Sequence, residues 1–217
     1  VDISSFQSIR EEVASIMRRL YSTRLTTTSG GNISFRLNDE LFAITPSQLD
    51  KANLTADVIA IVGFDNTNYT PHLPLSIESE MHRSVLLNRK DINAVVHAHP
   101  VYASSFTAMK KPINTKLLAE SWFLLEEPAF APYQRMGTPD LASSVVECIA
   151  HSDVVLMENH GVLTVGKTLV NAFDLIEVLE NSAKMTFITQ MMSLSNWEVS
   201  PLNEQKCDEL MRMKKGN

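Results

Sequence analysis

Two strand–turn–strand segments constrain this chain most. Ile33-Ser34-Phe35-Arg36-Leu37 alternates like a half-buried strand, Asn38-Asp39 turns the chain, and Glu40 to Ile44 returns it. Further on, Val154 to Met157 is a short apolar run that Asn159-His160-Gly161 turns into Val162 to Val165. Connections this short join antiparallel neighbours, because a parallel pair needs a crossover of a dozen residues or more. Val58 to Val62 and Ala94-Val95-Val96-His97-Ala98-His99, closed by Pro100, add two further strands.

Helical stripes are interleaved with the strands. From Ser4 to Leu20, the residues Phe6, Ile9, Val13, Ile16, Met17 and Leu20 share one face, and Ser4 with Gln7 fits a capping box. Ser76 is placed to cap a helix running to about Asn88, with Ile77, Met81 and Val85 on one side. Thr138-Pro139-Asp140 opens another, whose buried face carries Leu141, Val145 and Cys148. A long helix after Val165 carries Leu169, Phe173, Ile176, Leu179, Ala183 and Phe187. No repeat or Pro/Gly/Ser-rich linker interrupts the series. The predicted fold is therefore α/β: a single domain over residues 1–217 with a central, mainly antiparallel (mixed) sheet flanked by helices.

Composition narrows the partners. With 217 residues, 44% of them apolar, the chain can bury a core without staples. Nineteen basic against 25 acidic side chains leave a net charge of −6, which does not attract phosphate backbones or anionic membranes. The two cysteines, Cys148 and Cys207, form no CxxC, so a reducing compartment is expected, with Cys148 buried as an apolar residue. No apolar run reaches the ~18 residues of a spanning helix, and Val1-Asp2-Ile3-Ser4-Ser5 does not read as a signal peptide. The expected location is the cytoplasm.

Chemistry concentrates on histidine. His97 and His99 stand two apart on a strand, so their side chains leave one face, and two parallel imidazoles can bind a metal ion at ~2.0–2.1 Å per bond. His160 lies in the turn after Val154–Met157 and supplies a third ligand if that strand lies beside the first. Three histidines with an open position is the layout of a catalytic zinc site. Hydrogen-bonded core histidines would satisfy the same spacing. His72, His82 and His151 read as surface or locally hydrogen-bonded residues. Glu78 falls in the first turn of the helix capped by Ser76, where an acid favours the helix dipole and where it could also act as a general acid/base beside a metal. Glu78 and His82, four apart, form a weaker second candidate for a metal face. Ser29-Gly30-Gly31-Asn32 either exposes backbone N–H groups to an anion or is simply a turn; Thr45-Pro46-Ser47 and Ser76 can add hydroxyl donors.

Taken in order, these segments carry a resemblance. Ser29-Gly30-Gly31-Asn32-Ile33-Ser34, Ile44-Thr45-Pro46-Ser47, the Pro-Leu-Ser-Ile-Glu segment ending at Glu78, Ala94 to His99, Ala131-Pro132-Tyr133 with Gly137-Thr138, and Glu158-Asn159-His160-Gly161 resemble the class II aldolase/adducin family. Within it they are most similar to the zinc-dependent L-fuculose-phosphate aldolases, from about residue 6 to residue 190. The resemblance implies a homotetramer with active sites at subunit interfaces, Zn2+ on His97, His99 and His160, Glu78 as acid/base, and substrate phosphate on Gly31, Asn32, Ser47 and Ser76. The implied reaction cleaves a small ketose 1-phosphate, of the L-fuculose 1-phosphate type, to dihydroxyacetone phosphate and a short aldehyde through a metal-stabilised enediolate. Glu78 would move the proton beside the carbonyl, a task suited to a carboxyl of raised pKa in a partly dry site.

The same scaffold serves pentulose-phosphate 4-epimerases, ketose-phosphate dehydratases and non-catalytic adducin-head-like interaction modules. Glu78, where the epimerases generally carry Asp, favours an aldolase, and the histidine set favours catalysis. The chain departs from the family pattern at three places. Gln48 takes the glycine of the Thr-Pro-Ser/Thr-Gly loop, Ile77 takes the second of two serines before the Glu, and Leu118 takes the place of the tyrosine that protonates the aldehyde oxygen.

Overall fold

The structure, a computed structural model, describes residues 2–109 and 111–216. Val1, at the head of the segment read as lacking a leader, lies outside the described residues, as do Lys110 and Asn217, the last residue of the expected domain. Among the described residues, seven strands form one sheet: β1 (Asn32–Arg36), β2 (Leu41–Ile44), β3 (Ala60–Gly63), β4 (Ala94–Ala98), β5 (Ala129–Ala131), β6 (Val154–Met157) and β7 (Gly161–Gly166). Their spatial order is β3-β2-β1-β4-β7-β6-β5. Every neighbouring pair is antiparallel except β5 with β6, so the mainly antiparallel, mixed sheet expected of the two hairpins is the one observed.

Among the described residues, seven α-helices flank it: α1 (Gln7–Ser22), α2 (Ser79–Asn88), α3 (Val101–Met109), α4 (Ala119–Leu125), α5 (Pro139–Ile149), α6 (Leu169–Ser193) and α7 (Glu204–Lys214). One core joins Val13, Met17 and Leu20 of α1, Phe106 of α3 and Phe173, Ile176 and Leu179 of α6 to Ile33, Val96 and Leu156 of the sheet. A second joins Met81 and Val85 of α2 and Leu141 and Val145 of α5 to Phe42, Val95, Val155, Leu163 and Val165. Burial on both faces explains why β3 and β6 read as unbroken apolar runs. No helix among the described residues is long and apolar enough to cross a membrane.

Several local expectations are corrected. A 3-10 turn, Ile3–Phe6, precedes α1, and its cap is the Asp2 carboxylate, which accepts the Ser4 N–H at 3.0 Å; the Ser4–Gln7 capping box does not form. Helix α2 starts at Ser79, not just after Ser76, so Glu78 occupies its cap position and Ile77 stands 62% exposed, off the buried stripe. Ala56–Val58 winds into a 3-10 turn, which shortens the expected strand to Ala60 onward. Phe187 is exposed because Thr186 takes the buried position of that turn of α6, and Cys148 is half-buried. Thr138 caps α5 as expected, its hydroxyl accepting the Leu141 N–H.

Lys51 is the unusual core residue. Its side chain is buried, its ammonium donates to the Pro46 carbonyl at 2.8 Å, and its own N–H bonds Thr28 O at 3.0 Å. It thereby ties the 45–47 loop to the loop that leads into β1. Burial pushes its pKa from 10.5 down to about 8. The unfolded chain therefore holds the extra proton between about pH 8 and 10.5, and stability rises with pH across that window. The shift corresponds to a cost of about 3 kcal/mol at neutral pH. K51M is expected to exceed the wild type in urea-unfolding free energy at pH 7 by about 1–3 kcal/mol, with the difference shrinking toward pH 10.5. A pH-independent difference would show that the ammonium is not desolvated.

Candidate active site

Sheet register assembles the site. Asn32 of β1 lies opposite His97 of β4, Ala98 opposite Val162 of β7, and Met157 of β6 opposite Gly161. The start of β1, the end of β4 and the β6–β7 turn therefore share one end of the sheet. Val95 packs toward α2 and α5, and His97, two residues on, leaves the same face. The cap of α2 lies over this end and brings Glu78 to it. Asn159, in the left-handed region at φ 53°, tightens the β6–β7 turn that presents His160.

The three imidazoles converge. One ligand nitrogen from each of His97, His99 and His160 lies within 4.8 Å of the others, with His97 Nε2 and His99 Nε2 3.0 Å apart. His97 Nδ1 donates to the Val162 carbonyl at 2.9 Å, which leaves its Nε2 a bare lone pair facing the cluster. Burial keeps His97 neutral, with a pKa below the ordinary histidine range against the pull of Glu78. Burial, then the neighbouring His97 and His160, push His99 down to about 3.

Glu78 is buried against this cluster. Its Oε2 accepts from Asn32 Nδ2 at 2.7 Å and lies 3.4 Å from His97 Nε2. Its Oε1 lies 2.8 Å from His160 Nε2, yet no aligned hydrogen bond reaches it. A buried carboxylate oxygen without a hydrogen bond, beside three imidazoles with convergent nitrogens, is the donor set a divalent cation fits. The expectation of a raised carboxyl is corrected. Burial pushes Glu78 up, but its close contacts with His97, His160 and Asn32 outweigh it and hold the group below the ordinary carboxylate range.

Glycines seat His99. A Cβ on Gly161 would lie 2.5 Å from His99 Cδ2 and 2.7 Å from Ala98 O, and one on Gly30 would lie 2.9 Å from His99 Nδ1. The ring is thus held between two bare backbones. Behind it, the Glu180 carboxylate of α6 accepts the Tyr102 and Ala103 N–H groups at 3.0 and 2.8 Å, pinning the first turn of α3 just after His99-Pro100.

The other candidate residues fall into two groups. Gly31, at φ 68° and tight against the His97 carbonyl, and Asn32 and Ser76 all lie at the cluster. Asn32 spends its amide on Glu78 Oε2 and Ser76 Oγ (3.2 Å), while Ser76 Oγ also accepts the Glu78 N–H at 3.2 Å. Ser47 is half-buried one loop away, its N–H on the Pro74 carbonyl at 3.0 Å. Gln48 adopts φ 60°, so the loop keeps a glycine-like backbone with a side chain in place. Leu118 is exposed at the start of α4. His72 and His151 are exposed and outside the cluster.

His82 does not join a metal face with Glu78. It is fully buried and bonds Ser34 Oγ through Nδ1 at 2.7 Å and Asn32 Oδ1 through Nε2. The spacing of Glu78 and His82 pointed to a metal face rather than to these bonds, and Ser34 stood outside the predicted site although it follows Asn32 at strand period.

The sequence matches the family model described as Class II Aldolase and Adducin N-terminal domain over residues 11–187, and the chain belongs to that family. It is 36% identical over 177 residues to an L-fuculose phosphate aldolase of Methanococcus maripaludis, covering 82% of this chain and 95% of that one. It is 31% identical over 187 residues to a 5-deoxy-D-ribulose 1-phosphate aldolase of Bacillus thuringiensis serovar kurstaki, covering 85% and 86%. A solved L-fuculose 1-phosphate aldolase superposes with a TM-score of 0.85 at 26% identity, covering 96% of both chains. The chain is an aldolase-type lyase.

The seating of His99 generates a prediction. G161A drives a methyl into that ring and the Ala98 carbonyl, so its affinity for zinc in a chelator-competition titration should fall at least ~10-fold. Unchanged affinity would mean that His99 is not confined by Gly161.

Proposed function

We propose that this chain is a zinc-dependent aldolase that cleaves a small ketose 1-phosphate of the L-fuculose 1-phosphate type to dihydroxyacetone phosphate and a short aldehyde. One observation carries the proposal: a buried carboxylate, Glu78, sits 2.8 and 3.4 Å from two of three histidines whose nitrogens can share one ion. His97, His99 and His160 would hold the metal, and three imidazoles with oxygen donors suit zinc. When bound, the ion supplies Lewis-acid stabilisation for negative charge on the carbonyl and adjacent hydroxyl oxygens of the sugar.

The chain's own residues do the rest. Cleavage breaks the C3–C4 bond of the ketose, and its electrons pass toward the carbonyl as the C4 hydroxyl loses its proton. The C4 hydroxyl proton passes to water, and Glu78, after taking up one proton from water in exchange, delivers it to C3; in condensation the ionised carboxylate removes that proton. Its depressed pKa keeps it ionised and ready as the base at neutral pH. Leu118 has no proton to exchange with the aldehyde oxygen, so water or another group serves there. Gly31, Asn32, Ser47 and Ser76 line the loops assigned to the phosphate, with backbone N–H groups of the glycine-rich turn as the donors. The exposed Ile77, Val101, Tyr133 and Met136 flank segments that carry site residues, which supports sites at interfaces between copies of this chain; the cytoplasmic homotetramer itself rests on the family resemblance.

Three measurements test this reading. H97A should lose stoichiometric zinc in elemental analysis, and full zinc would refute the ligand assignment. E78Q should keep zinc while its deuterium exchange into dihydroxyacetone phosphate falls by roughly 10²–10⁴-fold. A phosphorylated ketose should be cleaved faster than its unphosphorylated form; equal turnover would show that Gln48 and Ile77 have abolished phosphate recognition.

A further inference from the structure

A chain of buried polar groups runs from Glu78 through Asn32 to His82 and Ser34, the last two of which the proposed chemistry does not use. Ser34 Oγ meets His82 Nδ1 at 2.7 Å, His82 Nε2 meets Asn32 Oδ1, and Asn32 Nδ2 meets Glu78 Oε2 at 2.7 Å. Ser34 and His82 are inaccessible to solvent, and Asn32 and Glu78 nearly so. The groups come from two elements, β1 and the start of α2, and none of these contacts involves the metal-binding nitrogens.

The direction of every bond follows from the carboxylate. An ionised carboxylate only accepts, so Asn32 must turn its NH2 toward Glu78 and its carbonyl oxygen toward His82. That oxygen also only accepts, so His82 must carry its hydrogen on Nε2. Burial keeps the ring neutral, so Nδ1 is a lone pair and Ser34 donates to it. Reversing any member would set two acceptors or two donors face to face in a site closed to water. In particular, an Asn32 amide freed from His82 can flip and present its oxygen to the Glu78 carboxylate.

We propose that Ser34 and His82 are positioning residues that act through Asn32 to hold Glu78 in its reactive orientation. This rests on the reading of Glu78 as the acid/base. His82 touches neither the metal-binding nitrogens nor the reacting atoms; its effect is to fix which end of an amide faces the carboxylate.

The experiment compares H82L, H82Q, S34A and E78Q as zinc-loaded enzymes, with dihydroxyacetone phosphate as the probe and deuterium exchange at its carbon followed by proton NMR. H82L removes the donor to Asn32 and should exchange roughly 10–100-fold more slowly, with zinc content and KM within about twofold of wild type. H82Q restores an N–H donor on a similar stem and should recover most of that loss. S34A, a single buried hydroxyl, keeps the test open if H82L fails to fold; it should slow exchange by about 3–10-fold. Independently, 15N-labelled histidine in the metal-free protein should show His82 as the Nε2–H tautomer. Wild-type exchange in H82L or S34A, H82Q as slow as H82L, or an Nδ1–H tautomer would each overturn the relay. If E78Q also exchanges at the wild-type rate, the acid/base reading falls first and the relay with it; if E78Q alone is inactive, only the relay falls.

Discussion

Glu78 is a negative charge taken out of water, and the end of the sheet is organised around it. Removing an ion of that size from solvent costs several kcal/mol even after relaxation, unless other groups replace the lost hydration. Here Asn32 donates to one oxygen, His97 and His160 lie against the two oxygens, and Ser76 takes the N–H of the same residue. One oxygen is left without an aligned hydrogen bond. A cation among the three imidazoles would supply the missing partner, so that one geometry would meet the needs of the carboxylate and of the metal.

That geometry depends on an antiparallel register with helices on both faces. Because Asn32 pairs with His97, and β7 begins beside the end of β4, a carboxamide and three rings from distant segments meet within a few ångströms. Burial then keeps the His97 and His99 rings neutral, which is the state that binds a metal. The glycines at 30 and 161 have the same logic at atomic scale: His99 fits because nothing larger than hydrogen projects toward it from either side.

Much of this was legible in one dimension. The short turns dictated antiparallel hairpins, the helical stripes located α1, α5 and α6, and the His-x-His and Asn-His-Gly segments marked the ligand candidates. Other features were not legible. Strand β5 has three residues and pairs only with β6, so it leaves no periodic trace. Ile77 looked like a core residue because a helix was drawn from Ser76, whereas the chain bends first and α2 starts at Ser79. The depression of Glu78 was hidden because burial alone predicts the opposite direction, and only the neighbours decide which effect prevails.

Sequence by itself determined the class of fold, the family and the identity of the groups available for chemistry, because these follow from local periodicity, turn length and residue type. Tertiary structure decided what those groups do. It separated His82 from the metal cluster and turned it toward Asn32, aimed the Asn32 amide at Glu78 rather than into the glycine loop, and left Gln48 in a glycine's conformation. The reason is physical: a hydrogen bond or a pKa depends on distances of a few ångströms between residues that are 44 to 65 positions apart in the chain. Spacing along a strand or helix cannot encode those distances; the register of the assembled sheet does.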